Sequence, residues 1–293
     1  MEFVCYLQML EYVLTGGRLR RANDVTAAYV MFEKPENITE EKIHSSHILG
    51  WCAEMTYAYA YILDDLMDSS TTRRNKLCWH RQPNVGITAV NDATLLYQVI
   101  LELLGIKFRH TPEYLDIVNV VNKVSTFSLV RRTFASTQKQ YSLWHYEISL
   151  LLGLMLIKDG QKKVTKEWID ICFDIGLLFQ IHNDYADLYE EESESGKVGY
   201  DIQEGKLTWL ALTAVPRCKE QQLAAFKEFY GSPVPDHAKQ IKQIYDDLKM
   251  PELYEKYESK LYYIVLGRIR ALPTEPERKY FLNLLGESYK CGY

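Results

Sequence analysis

Residues 57–68 read YAYAYILDDLMD. The first half is apolar and aromatic, as a packed helix is, and the second half carries Asp64, Asp65 and Asp68. On a helix Asp64 and Asp68 stand one turn apart on the same face. Like charges at that spacing repel, and the apolar run before them predicts a buried setting that disfavours the charged form further. A hard divalent cation offsets this, because Mg²⁺ takes oxygen ligands from a few carboxylates and from substrate phosphates. An acidic helix end facing water accommodates the same residues, and the spacing alone does not separate the two readings. The following residues 69–76, SSTTRRNK, set Arg73 and Arg74 just beyond the acids. Two guanidinium groups beside a metal-binding patch suit a diphosphate, which accepts fork-shaped donors. A surface salt-bridge network is the plainer account of that stretch taken alone.

A second unit of the same kind decides between these readings. Residues 165–189 carry a helical stripe of Trp168, Ile169, Cys172, Ile175, Leu178, Phe179 and Leu188, and end in GLLFQIHNDYAD over 176–187. Asn183, Asp184 and Asp187 are oxygen ligands at i, i+1 and i+4, and Lys197 and Lys206 lie beyond them. Two apolar helices that each end in acids and then bases are what a diphosphate site with three Mg²⁺ ions requires. His182 has no second histidine at metal-ligand spacing and reads as structural, and the tyrosine stripes read as core.

The rest of the chain is consistent with one helical domain over residues 1–293. Fifteen glycines, nine prolines and 22 tyrosines among 293 residues favour long helices with aromatic packing over a β-sandwich. Residues 92–104 form another apolar stripe through Leu95, Leu96, Val99, Ile100, Leu103 and Leu104. Breaks are expected at Gly16, at 83–86, Pro112, Gly160, 193–199, 231–235 and Pro273. A net charge of −5 provides no basic field, so nucleic acid is not an expected partner. The six cysteines contain no C-x-x-C pair and read as reduced thiols of a cytoplasmic protein. No membrane span is expected, since the most apolar run, 148–157, is too short to cross a bilayer.

These motifs resemble the farnesyl diphosphate synthase family of trans-prenyltransferases over nearly the whole chain. The first aspartate-rich region is similar to 50–79, the second to 179–206, and Gly16-Gly17-Arg18-Leu19-Arg20-Arg21 resembles the loop that binds isopentenyl diphosphate. The resemblance implies an all-α, class I isoprenoid synthase bundle around a central cavity, acting as a homodimer. It implies that Asp64, Asp68, Asn183 and Asp187 hold Mg²⁺, with Asp65 and Asp184 beside them. Arg73, Arg74, Lys139, Lys197 and Lys206 would hold the allylic diphosphate, with Asp64, Asp68, Arg73, Lys139 and Lys197 carrying catalysis. By the same likeness the chain lacks the family's first helix and part of a central helix near 121–127.

Departures from the family pattern set the expected reaction. Tyr57 stands where the condensing enzymes have glutamine, Arg18 replaces the loop lysine, and the end Tyr289-Lys290-Cys291-Gly292-Tyr293 is not strongly basic. Arg18, Arg21 and Arg74 then form only a residual second-substrate site. Asn183, Asp187 and Glu191 have the i, i+4, i+8 spacing of the cyclase metal triad. The pattern resembles the terpene synthases that insects derived from this family, and the expected activity is conversion of farnesyl diphosphate to a sesquiterpene. Condensation with isopentenyl diphosphate and a non-catalytic homologue are the alternatives. Tyr57, Tyr59 and Ala60 are assigned to the tail pocket.

Overall fold

The computed structural model describes residues 2–130, 138–190 and 199–289, without side chains for 2–6, 124, 126–130, 138–145 and 161. Among the described residues it has twelve α-helices and one two-stranded hairpin. In chain order the helices are α1 Glu2–Leu14, α2 Arg20–Phe32, α3 Glu40–Met67, α4 Ala89–Phe108, α5 Tyr114–Val130 and α6 Gln138–Leu154. They continue as α7 Lys166–Tyr189, α8 Trp209–Ala214, α9 Glu220–Phe229, α10 Pro235–Asp247, α11 Met250–Ala271 and α12 Glu275–Ser288. The all-α expectation holds.

Local chemistry accounts for many of the boundaries. Thr39, Thr165, Thr208 and Thr274 each precede a helix in extended conformation, and each hydroxyl accepts a hydrogen bond from the third residue on. Such a cap satisfies a backbone N–H that the helix leaves unpaired. Helix α2 is capped from another helix instead: the Arg21 and Ala22 N–H groups donate to the Glu54 carboxylate on α3, at 2.9 and 3.3 Å.

Helix α2 lies between α3 and α6 and packs on both at glycines. A Cβ on Gly50 would stand 2.8 Å from the Ala22 carbonyl oxygen, and one on Gly153 would stand 2.5 Å from that of Val25. This close seating fixes the start of α2, and with it Arg21, against α3. One apolar cluster joins α3, α4 and α5 around Leu49, Ala53, Leu96, Ile100 and Ile117. A second joins α2, α6, α7, α11 and α12 around Tyr29, Leu150, Ile175 and Phe281. A third gathers α8, α9, α10 and α11 onto the end of α7 through Ile181, Trp209, Tyr245 and Tyr254.

Three features go beyond the sequence reading. Helix α3 begins at Glu40, more than four turns before the 57–68 stretch that announced it. After α3 the chain forms an antiparallel hairpin, β1 Thr72–Arg73 with β2 Lys76–Leu77, pairing Thr72 with Leu77 and Arg73 with Lys76. Its two turn residues, Arg74 and Asn75, have φ of 54° and 58°, the left-handed pair that matches the twist of a tight hairpin. The segment 121–127, where a gap in the family pattern was expected, runs without a break inside α5.

The segment Gly86–Phe108 is long and apolar enough to cross a membrane by length and composition, with a third of its most apolar window buried. Leu96, Ile100 and Leu104 on its inner face are fully buried in the cluster shared with α3, while Leu95, Leu103 and Ile106 face outward.

Candidate active site

Both acidic clusters occupy the C-terminal turns of their helices, Asp64 and Asp65 on α3 with Asp68 as its C-cap, and Asn183, Asp184 and Asp187 on α7. A helix C-terminus carries partial negative charge from its unpaired carbonyls, so carboxylates there need cations nearby. The hairpin after α3 supplies the first. The Arg73 Nε donates to Asp65 Oδ1 at 3.0 Å, its Nη2 to the same oxygen at 2.5 Å, and Nη2 also lies 3.7 Å from Asp64. Burial works against the Arg73 charge, but Asp65 and then Asp64 outweigh it, and the guanidinium is held more firmly protonated than usual. Asp65 is buried and engaged by this fork, and Asp64 keeps partial exposure on the site face.

The second cation joins the two clusters. The Lys206 ammonium lies 3.0 Å from Asp68, 3.1 Å from Asp201 and 2.6 Å from Glu204. It therefore ties the end of α3 to the segment that follows α7. Burial raises the Glu204 carboxyl above its ordinary value; Lys206 lowers it, and Asp68 and Asp201 raise it again. Glu204 and Asp201 were not singled out from sequence. Their signal was present in the run DIQEGK over 201–206, where only the lysine drew attention.

The three oxygen ligands on α7 have different surroundings. Asp184 is buried, accepting from Gln180 Nε2 and from the backbone N–H of Trp209, both at 2.7 Å. It thereby caps the start of α8. Asp187 accepts from the Asp201 N–H at 3.1 Å, and its carbonyl lies so near Gly199 that a Cβ there would approach to 1.8 Å. Asn183 is 9% exposed and its Oδ1 has no hydrogen-bond partner among the described residues. A buried acceptor without a donor is poised for a ligand. Asn183, Asp64, Asp68 and Asp187 all carry hard oxygen donors of the kind Mg²⁺ takes. Among the described residues, no three His, Cys, Asp or Glu side chains converge on one point, the acids being drawn to Arg73 and Lys206 instead. His182 bonds to the Tyr254 hydroxyl at 3.0 Å, as a structural histidine does.

A separate basic neighbourhood lies at the start of α2. Arg21 Nη1 stands 3.6 Å from Glu54, and its Nη2 donates to the Tyr61 hydroxyl at 3.0 Å. Burial disfavours its charge, but Tyr61, Tyr57 and Glu54 more than offset this and keep it protonated. The Arg74 guanidinium lies against Gly17, where a Cβ would come within 2.7 Å, and Nη1 donates to the Val13 carbonyl at 3.4 Å. Arg18 is exposed. A small cleft open to solvent, lined by Tyr12, Tyr61, Asp65, Arg73, Arg74 and Trp79, lies between α1, α3 and the hairpin.

Of the residues assigned to the tail pocket, Tyr59 is buried and packs on Tyr97 of α4 with ring centroids 5.2 Å apart, and Ala60 packs partly buried against the same core. Tyr57 instead lies beneath Arg21, whose guanidinium carbon is 3.7 Å from the ring centroid. The side chain of Lys139 and all of Lys197 and Glu191 lie outside the described residues.

The polyprenyl synthetase family model matches residues 4–248. Farnesyl pyrophosphate synthase 1, mitochondrial, of Arabidopsis thaliana is 32% identical over 97% of this chain and 79% of its own length. Farnesyl pyrophosphate synthase of Rattus norvegicus is 30% identical over 97% of this chain and 86% of its own. The structure of T. brucei farnesyl diphosphate synthase complexed with risedronate superposes with a TM-score of 0.89, covering 98% of this chain and 90% of that one at 24% identity, which is agreement of fold.

These relatives correct the expectation of a sesquiterpene-forming terpene synthase, because they are named for farnesyl diphosphate synthesis and point to a transferase rather than a lyase. The expectation treated the change at position 57 as the loss of a second-substrate contact. In the structure that tyrosine instead lies with its ring 3.7 Å beneath the Arg21 guanidinium.

Proposed function

The chain belongs to the polyprenyl synthetase family, and from that premise we propose that it is a prenyltransferase joining isopentenyl diphosphate to an allylic diphosphate, with farnesyl diphosphate as product. The observation that carries the proposal is the presence of two cationic neighbourhoods side by side on α3. Arg73 and Lys206 lie among the carboxylates, and Arg21 lies with Arg74 near the Gly16-Gly17 turn. Two diphosphate substrates need two such places, whereas a cyclase needs one.

In this reading Asp64, Asp68, Asn183 and Asp187 hold Mg²⁺, up to three ions, which supply positive charge to the leaving diphosphate. Arg73 and Lys206 give up part of their hold on the acids and donate to the allylic diphosphate. Fixed donors aimed where negative charge develops are an effective form of transition-state stabilisation. The allylic carbon–oxygen bond breaks and diphosphate departs with the electron pair. The double bond of isopentenyl diphosphate, whose own diphosphate sits on Arg21 and Arg74, then forms the new carbon–carbon bond. A proton lost to the departed diphosphate restores the double bond. Tyr59 and Ala60 border the growing tail, the small Ala60 leaving room that an aromatic would fill.

A homodimer is part of the same proposal. Leu95, Leu103 and Ile106 on the outer face of α4 and Leu115 on α5 are 36 to 77% exposed, an apolar strip suited to a second copy.

The proposal is tested by supplying farnesyl diphosphate alone with Mg²⁺ and measuring diphosphate release. Turnover is expected only with isopentenyl diphosphate present as acceptor together with an allylic diphosphate as prenyl donor. Steady release of diphosphate with a volatile hydrocarbon would overturn it.

A further inference from the structure

Three arginines surround one tyrosine ring. The guanidinium carbons of Arg73, Arg21 and Arg74 lie 4.8, 5.8 and 6.0 Å from the centroid of Tyr61, and Arg21 lies 3.7 Å over Tyr57. Tyr57 and Tyr61 stand one turn apart on α3, on the face that continues to Asp64 and Asp68, and their rings are 6.2 Å apart. Glu54, a further turn towards the start of the helix, completes the stripe and holds Arg21 from the other side.

Three like charges so close repel one another unless their surroundings are fixed. Carboxylates answer part of this, Glu54 at Arg21 and Asp64 with Asp65 at Arg73. The aromatic faces answer the rest: a ring attracts a guanidinium through its quadrupole and leaves the N–H edges directed outward. A carboxylate placed there instead would consume those edges.

We propose that Tyr57 and Tyr61 form an aromatic ladder that positions the arginines of both diphosphate sites, Tyr57 serving the isopentenyl diphosphate site alone through Arg21 and Tyr61 serving both. This rests on the prenyltransferase reading and adds two positioning residues to it. Tyr57 contributes its ring face, and Tyr61 contributes both its face and the hydroxyl that accepts from Arg21.

The test is steady-state kinetics with each substrate varied at saturation of the other. A desolvated cation–π contact is worth up to about 2 kcal/mol, or some thirtyfold in affinity, and a partial loss of about tenfold is the expected effect. Tyr57→Leu should raise KM for isopentenyl diphosphate about tenfold and leave that for the allylic diphosphate within about twofold. Tyr57→Phe, which keeps the face, should restore the wild-type value. Tyr61→Leu should raise both KM values, and Tyr61→Phe should mainly affect isopentenyl diphosphate. Tyr57→Met replaces the leucine variant should that one not fold. Equal effects of Tyr57→Leu on both substrates, or none on either, would overturn the ladder while wild-type condensation left the reaction standing. Failure of the wild type to condense at all would overturn both.

Discussion

Removing Glu54 perturbs the fold and the second-substrate site through one side chain. Its carboxylate is buried, accepts from the Arg21 and Ala22 N–H groups at 2.9 and 3.3 Å, and lies 3.6 Å from the Arg21 guanidinium. Glu54→Gln keeps an oxygen for the helix cap and removes the charge. Breaking a buried pair from one side typically costs about 3–5 kcal/mol. Arg21 retains the Tyr61 hydroxyl and the Tyr57 ring, so a loss just below that range, about 2–3 kcal/mol, is expected. Glu54→Leu also removes the cap, worth roughly 1 kcal/mol more. Urea denaturation followed by circular dichroism measures both, with the slope checked for constancy so that a shifted midpoint reports stability. The expected order is wild type, Glu54→Gln, Glu54→Leu. A loss below about 1 kcal/mol for Glu54→Leu would refute the placing of Glu54 as both cap and counter-ion.

Three further outcomes follow from other parts of the structure. Burial, then Glu287, pushes the Asp24 carboxyl up to about 7, with Arg20 and Arg21 lowering it and Glu54 raising it. The native state therefore keeps a proton that the unfolded chain releases near pH 4, and stability should fall as pH rises from about 4 to about 7 and stay low above. Asp24→Asn should remove that fall and stabilise the protein at pH 8 by on the order of 2–4 kcal/mol; an unchanged pH profile of urea midpoints would refute this. Gly153→Ala should destabilise by about 1–3 kcal/mol in thermal unfolding, because its Cβ meets the Val25 carbonyl and Ala28, and a neutral result would mean that α2 and α6 can part. Lys206→Met leaves Asp68, Asp201 and Glu204 facing one another, so in EDTA it should lose roughly 2–3 kcal/mol, with part of the loss recovered on adding Mg²⁺; identical midpoints with and without metal would count against the carboxylates as its ligands.

Much of the fold was legible because helices announce themselves through spacing. The stripe from Trp168 to Leu188 and the threonine before it define α7 almost to the residue. The expected breaks at Gly16, Pro112, Gly160 and Pro273 all fall between α-helices. The hairpin at 72–77 was not legible: four paired residues are too few for an alternation, and its left-handed turn is made by Arg74 and Asn75 without the glycine that usually marks it. At the site, residue types were readable and their partners were not. Nothing local shows that Asp184 would cap α8 through Trp209, or that Lys206 would reach back to Asp68. Tyr57 was assigned to the tail pocket together with Tyr59 and Ala60. Helical phase sets Tyr57 with Tyr61 instead, and the arginine above them belongs to another helix. The misreading of the reaction drew in part on the same residue, since the change at position 57 was judged by the contact it removed before its new partner was known.

The central claim, that this protein joins two substrates, is tested most directly by product mass. Purified protein with Mg²⁺, geranyl diphosphate and isopentenyl diphosphate labelled with ¹³C at every carbon is analysed by mass spectrometry of the aqueous and headspace fractions. The account predicts a C15 diphosphate in which the five carbons of one isoprene unit carry label, together with released diphosphate. Unlabelled volatile products formed from geranyl diphosphate alone, with the label left in unreacted isopentenyl diphosphate, would contradict it.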